Sequence, residues 1–135
     1  MKISLLPPPT SGLKTIIELA RINPDIDILW LYGSRARGND TPESDYDLAV
    51  AFTHYLDNPV DRRLRPELLA LAWHKSLQLP LSIIDIEQVP LPLAYTVIMD
   101  NTVLCCRNDY RRMTLENKLM SKWELDHCYV KKHYA

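Results

Sequence analysis

"LYGSRARGNDTPESDYDLAV", residues 31 to 50, decides how this chain is read. An apolar run ends at Gly33-Ser34, ten residues of arginines, turn formers and polar groups follow, and Asp45 and Asp47 lead into a second apolar run. Alternate residues of a strand face one side, so the two carboxylates point together, with Tyr46 and Leu48 on the other side. Two like charges so close are costly unless something compensates them. Mg²⁺ is the simplest compensation, because it takes one or two protein carboxylates and fills its other positions with water and substrate phosphate. Gly33 permits a sharp bend and close approach to a ligand, and the amides after it can face an anion. The Ser34 hydroxyl adds a donor, and Arg35 and Arg37 add positive charge. A phosphate cradle one loop away from an acid pair describes a site for the triphosphate of a metal-bound nucleotide.

The rest of the chain sets the frame. Its 135 residues suit one domain spanning 1 to 135, and 47% apolar with 24% charged residues is ordinary soluble composition. A net charge of −1 offers no broad surface for polyanions, so direct nucleic-acid binding is not expected. No apolar run approaches the roughly 20 residues of a membrane-spanning helix. The start, "MKISLLPPPTSG", is broken by three prolines where a signal peptide needs a longer apolar core, and reads as an N-terminal arm over residues 1 to 10. Cys105, Cys106 and Cys128 make an odd count with one adjacent pair, which is no disulfide framework and fits a reducing cytoplasm.

Periodicity orders the elements. "SGLKTIIELARI" predicts a helix with Leu13, Ile16, Ile17 and Ala20 at helical spacing, and "IDILWLYG" a strand buried on both faces. The polar loop has room for one helical turn after Gly33, and "DYDLAVAF" is the second strand. "NPVDRRLRPELLALAWHKSLQL" predicts a second helix, well formed from about Pro66, with Leu68, Leu71, Ala72 and Leu79 on its apolar side. "PLSIIDIEQV" is a third strand, "PLPLAYTVIMDN" a short helix and "TVLCC" a fourth strand. A final amphipathic helix covers about 109 to 131, with Leu115, Leu119 and Trp123 at steps of four and Met113 and Met120 widening that face. The sum is an α/β domain of the α+β kind, a small mixed sheet flanked by helices.

"GS", ten residues, then "DYD" matches the G-S-x10-D-x-D signature of the DNA polymerase β-like nucleotidyltransferase superfamily. With "YGSRARGNDTPESDYDLAV", the short chain resembles its minimal nucleotidyltransferases (MNT), small prokaryotic proteins paired as antitoxins with HEPN-domain ribonuclease toxins. The resemblance implies a polymerase β-like fold, two Mg²⁺ ions held by Asp45 and Asp47, and Gly33 and Ser34 on the β- and γ-phosphates of ATP. Arg35 and Arg37 would contribute to pyrophosphate charge, with pairing to Asp40 or Glu43 as the alternative role for one of them. The superfamily commonly adds a third carboxylate on a later strand. Asp85, with Glu87 on its face, is the preferred candidate for catalysis and metal, and Ser82 is the alternative position. The implied activity is AMP transfer from ATP to a hydroxyl of the cognate HEPN toxin, a tyrosine by preference, in the cytoplasm. Two other classes share the motif: a nucleotidyltransferase acting on a small molecule such as an aminoglycoside, and an antitoxin that works by binding alone. The last helix, or its end bearing Tyr129 and Tyr134, is a candidate partner surface.

Overall fold

Ile16 and Ala20 lie four residues apart and are fully buried, so the first helix, α1 (Ser11–Ile22), turns one apolar side inward as its spacing predicts. The computed structural model describes residues 11–134, with side chains over 12–126. The Arg107 guanidinium gathers the carbonyls of Ala20, Arg21 and Asn23 at the end of α1, groups the helix itself leaves unbonded. Strand β1 (Ile26–Tyr32) follows, then a single turn, α2 (Ser34–Arg37), strand β2 (Tyr46–Phe52), helix α3 (Pro59–Leu77) and strand β3 (Leu81–Asp85). Helix α4 (Leu91–Asp100), strand β4 (Thr102–Cys106) and helix α5 (Asp109–Tyr134) complete the order.

The four strands form one sheet in the order β3-β2-β1-β4. β1 runs antiparallel to β2 and β4, while β2 and β3 are parallel, which is why a whole helix, α3, must carry the chain between them. Central strands covered on both faces are apolar throughout, and β1 and β2 meet that demand. Leu29, Leu48, Val50 and Trp73 belong to the core under α1 and α3. Ile28, Trp30, Ala49, Val97 and Leu115 belong to the core under α4 and α5.

Two helices depart from their expected faces. α3 starts at Pro59, seven residues before the expected Pro66, because Asn58 caps it: its side chain accepts the amides of Val60 and Asp61 at 2.9 and 3.1 Å. Pro66 sits inside the helix and cannot donate to the Arg62 carbonyl. That carbonyl instead accepts the side-chain amide of Gln88 at 2.9 Å, which removes much of the cost of the proline. Pro66 and Trp73 face the core, so the expected apolar side bearing Leu68 and Leu71 points outward. In α5, Leu115 and Leu119 are buried and the Trp123 ring stacks on Tyr95 with centroids 4.4 Å apart. Met113 and Met120, expected on the same face, are exposed. The arm over residues 1 to 10 and the side chains of Cys128, Tyr129 and Tyr134 lie outside the described residues.

Candidate active site

Gly33 leaves β1 at φ +81°, in the left-handed region that disfavours any residue with a Cβ. A second constraint falls on the same atom: a Cβ there would lie 2.5 Å from Asp47 Oδ2. Tyr32 and Asp47 are cross-strand partners, so the acid on β2 is pressed against the glycine that ends β1. Both halves of the motif are therefore in one place. The Gly33 carbonyl accepts the amides of Ala36 and Arg37, which closes the turn of α2. The amides of Ser34 and Arg35, first in that turn, have no intrahelical acceptor. Among the described residues no hydrogen bond ties the Ser34 hydroxyl.

Asp45 stands one residue before β2 and is exposed. The Tyr46 amide donates to the Pro80 carbonyl at 2.9 Å, continuing the parallel pairing, and Tyr46 itself is buried. Strand alternation then puts Asp45 and Asp47 on the side opposite Tyr46. Neither aspartate makes an ion pair among the described residues, although Asp40 and Asp100 close by are each paired with an arginine. Asp47 accepts one hydrogen bond, from the Ser82 hydroxyl at 3.0 Å. Burial and the charge of Asp47 together push the Tyr32 phenol above its ordinary 10.0. Among the described residues there is no cluster of three or more His, Cys, Asp or Glu able to cage a metal. Two uncompensated acids without a third fit Mg²⁺ that brings phosphate oxygens and water with it.

The other expected site residues divide. Asp85 does not join the pair. Register places Ser82 beside Asp47 and Asp85 beside Val50, three residues further along β3 and on the opposite face. There its carboxylate, buried in the α1/α3 side of the sheet, accepts the Glu87 amide at 2.9 Å and the Gln88 side-chain amide at 2.7 Å. The same Gln88 amide satisfies the carbonyl orphaned by Pro66, so Asp85 holds architecture. Glu87 pairs with Arg111 at 2.7 Å. Arg35 is likewise engaged: it donates to the Ser44 carbonyl at 2.9 Å, pairs with Asp40 at 3.1 Å and stacks over Tyr46, with its side chain 13% exposed. These contacts brace the loop between Gly33 and Asp45. Arg37 keeps half its side chain in solvent and pairs with Asp100 at 3.4 Å.

Asp100 itself is a residue the sequence reading missed. It ends α4, where the helix dipole disfavours an acid, yet it accepts the Gly33 amide at 2.8 Å. One carboxylate thus pins the glycine and the second arginine of the motif. A hint lay in an acid at a helix C-terminus, but its 67-residue separation from Gly33 hides the contact.

Comparison with known proteins agrees with this geometry. The family model "Polymerase beta, Nucleotidyltransferase" matches residues 14–110. No curated protein sequence matches at a significant level. Among solved structures, the chain resembles a toxin-antitoxin crystallised with AMP-PNP at TM-score 0.71 and 20% identity, covering 91% of this chain and 94% of that one. It resembles the toxin-antitoxin MntA-HepT at TM-score 0.66 and 20% identity, over 90% and 92% of the two chains. A tri-AMPylated Shewanella oneidensis HEPN toxin in complex with MNT antitoxin gives TM-score 0.67 at 20% identity, covering 90% and 91%. With its glycine-serine turn, its uncompensated acid pair and a family match over most of its length, the chain belongs to the polymerase β nucleotidyltransferase family.

Proposed function

We propose that this chain is the antitoxin of an MNT/HEPN toxin–antitoxin module, and that it neutralises its cognate HEPN ribonuclease by transferring AMP from ATP to a toxin hydroxyl, a tyrosine. The observation that carries the reading is the pair Asp45 and Asp47, without an ion-pair partner among the described residues, with Asp47 pressed against Gly33. Its structural neighbours support it, one of them named for AMP-PNP and one for an AMPylated toxin. Mg²⁺, when bound by Asp45 and Asp47, supplies charge neutralisation at the attacked and leaving oxygens. Ser34 and the first amides of α2 hold the β- and γ-phosphates, and Gly33 gives them room. The acceptor oxygen bonds to the α-phosphorus, the bond from that phosphorus to the β-phosphate's bridging oxygen breaks, pyrophosphate leaves, and the hydroxyl proton passes to water. In-line transfer of this kind rests on positioning and electrostatics, so two carboxylates and a rigid turn suffice.

A phosphodiester on the toxin adds negative charge where RNA phosphates would otherwise approach, which accounts for neutralisation. No helix among the described residues is long and apolar enough to cross a membrane. The cytoplasm, where ATP and the toxin's RNA substrate meet, is the proposed setting. The test is incubation with labelled ATP and Mg²⁺, with and without the HEPN-domain protein encoded beside this chain. Label on the toxin that vanishes in D45N/D47N supports the reading. Toxin protection that survives those substitutions contradicts it.

A further inference from the structure

The chain that leaves β2 and the first turns of α3 line a cavity of about 480 Å³. Phe52, in its wall, ends β2 five residues after Asp47, which is roughly 16 Å along a strand. Asp85, also in the wall, ends β3, so the cavity lies at the carboxyl ends of the two parallel strands, where open α/β sheets place ligands. Three guanidiniums line it, those of Arg62, Arg65 and Arg111, against the carboxylates of Asp85 and Glu87. Arg111 is answered by Asp27 and Glu87 at 2.7 Å each. Asp85 is 6% exposed, and its oxygens take the Glu87 and Gln88 amides.

Arg62 and Arg65 are placed differently. Neither makes an ion pair among the described residues. Arg62 lies over the Tyr55 ring at 4.5 Å and uses only Nη1, on the carbonyls of Leu56 and Asp57. Arg65 lies over the Phe52 ring at 3.9 Å and uses only Nη2, on the His54 carbonyl at 2.8 Å. Its Nε is buried and has no acceptor among the described residues. A buried donor left unmet is costly, more so on a charged group. We propose that this cavity is a second, metal-independent site that binds a phosphate group, free or carried by a nucleoside monophosphate. Two arginine forks offer more donors than the two oxygens of one carboxylate accept, whereas a phosphate presents three terminal oxygens to them. The volume falls within the range of small-ligand sites and leaves room beyond the phosphate. The Tyr55 ring, which lines the cavity and is 72% exposed, offers a nucleobase a surface to stack on.

The experiment titrates the full chain, in EDTA and low salt, with inorganic phosphate, AMP and acetate, followed by proton–nitrogen NMR that includes the arginine Nε–H signals. Phosphate should move the Nε–H signals of Arg62 and Arg65 and the amides of Thr53, His54 and Tyr55, while those of Gly33 and Ser34 stay in place. AMP that binds tighter than phosphate and shifts the Tyr55 ring assigns a nucleotide as the source; equal affinities assign free phosphate. R62Q/R65Q should lose about tenfold or more in phosphate affinity, since it removes both charge-assisted forks. E87Q removes a lining carboxylate and leaves both forks whole, so it should gain about threefold, and it keeps the test decisive if R62Q/R65Q unfolds. Phosphate that moves Gly33 and Ser34 instead puts the anion at the turn of α2 and overturns the proposal. Acetate that binds as tightly as phosphate overturns it too, as does an E87Q affinity no higher than wild type. So does the absence of any shift at Arg62 and Arg65 in millimolar phosphate.

Discussion

The two ends of the sheet handle their acids in opposite ways. At the end where β1 leaves and β2 enters, Asp45 and Asp47 stand without a cation, restrained by one serine hydroxyl. At the other end, Asp85, Glu87 and Asp27 are all answered: Asp85 by the Gln88 and Glu87 amides, the other two by Arg111 at 2.7 Å each. Acids that are paired or hydrogen-bonded hold structure, whereas two acids gathered on one face without a cation mark a candidate binding site. The first end is the candidate active site.

Substitutions that swap the two behaviours break or sharpen this contrast. D45N/D47N should abolish AMP transfer, by roughly a thousandfold or more, as losing preorganised charge at the reacting phosphate does. The same variant should melt no lower than wild type, since a like-charge repulsion is relieved. D85A should do the reverse. It removes a buried carboxylate that accepts the Gln88 and Glu87 amides, costing about 1–3 kcal/mol in urea unfolding, while transfer per folded molecule stays within about threefold of wild type. A large loss of turnover in folded D85A would restore that residue to the site.

Smaller effects test the turn itself. G33A pushes a methyl group onto Asp47 and forces a Cβ into the left-handed region; about 1–2 kcal/mol of stability is lost, with transfer reduced more than tenfold. D100A should raise the KM for ATP about tenfold with kcat less affected, because it frees the Gly33 amide and Arg37 together. D100N, which keeps an acceptor for that amide, should recover most of the loss; equal defects in the two variants would leave Asp100 a mere packing residue. The smallest effect is spectroscopic. Tyr32 should ionise above the ordinary tyrosine range, and Mg²⁺ with AMP-PNP should lower its midpoint by cancelling the Asp47 charge. The raised value means the folded state holds its proton longer than the unfolded one, so this group's contribution is intact below pH 10.0 and is lost as pH rises through the folded midpoint.

Element order and the Gly33-Ser34/Asp45-x-Asp47 motif were legible in the sequence because each rests on local pattern: alternation, helical steps and a turn that only glycine makes. What was misread depends on partners far away in the chain. α3 is apolar on two sides, and periodicity does not say which side meets a sheet, so Leu68 and Leu71 were taken for core while Trp73 fills it. Ser82 and Asp85 have opposite parity on one strand. The choice between them is made by register with β2, fixed through the Tyr46 amide and Pro80 and by the Asp47–Ser82 pairing. The bonds of Arg35 to its loop carbonyls are invisible in a string of letters, although its pairing with Asp40 was one of the two roles the sequence offered. Tyr32 and Asp100 enter the site only once the sheet and α4 are assembled.

Calorimetry with AMP-PNP and Mg²⁺ asks the central question most directly. Wild type should bind with micromolar affinity only when Mg²⁺ is present, and D45N/D47N should not bind at all. Uptake that ignores both the metal and the two substitutions, or no uptake by wild type even beside its HEPN partner, would contradict the assignment of Asp45 and Asp47.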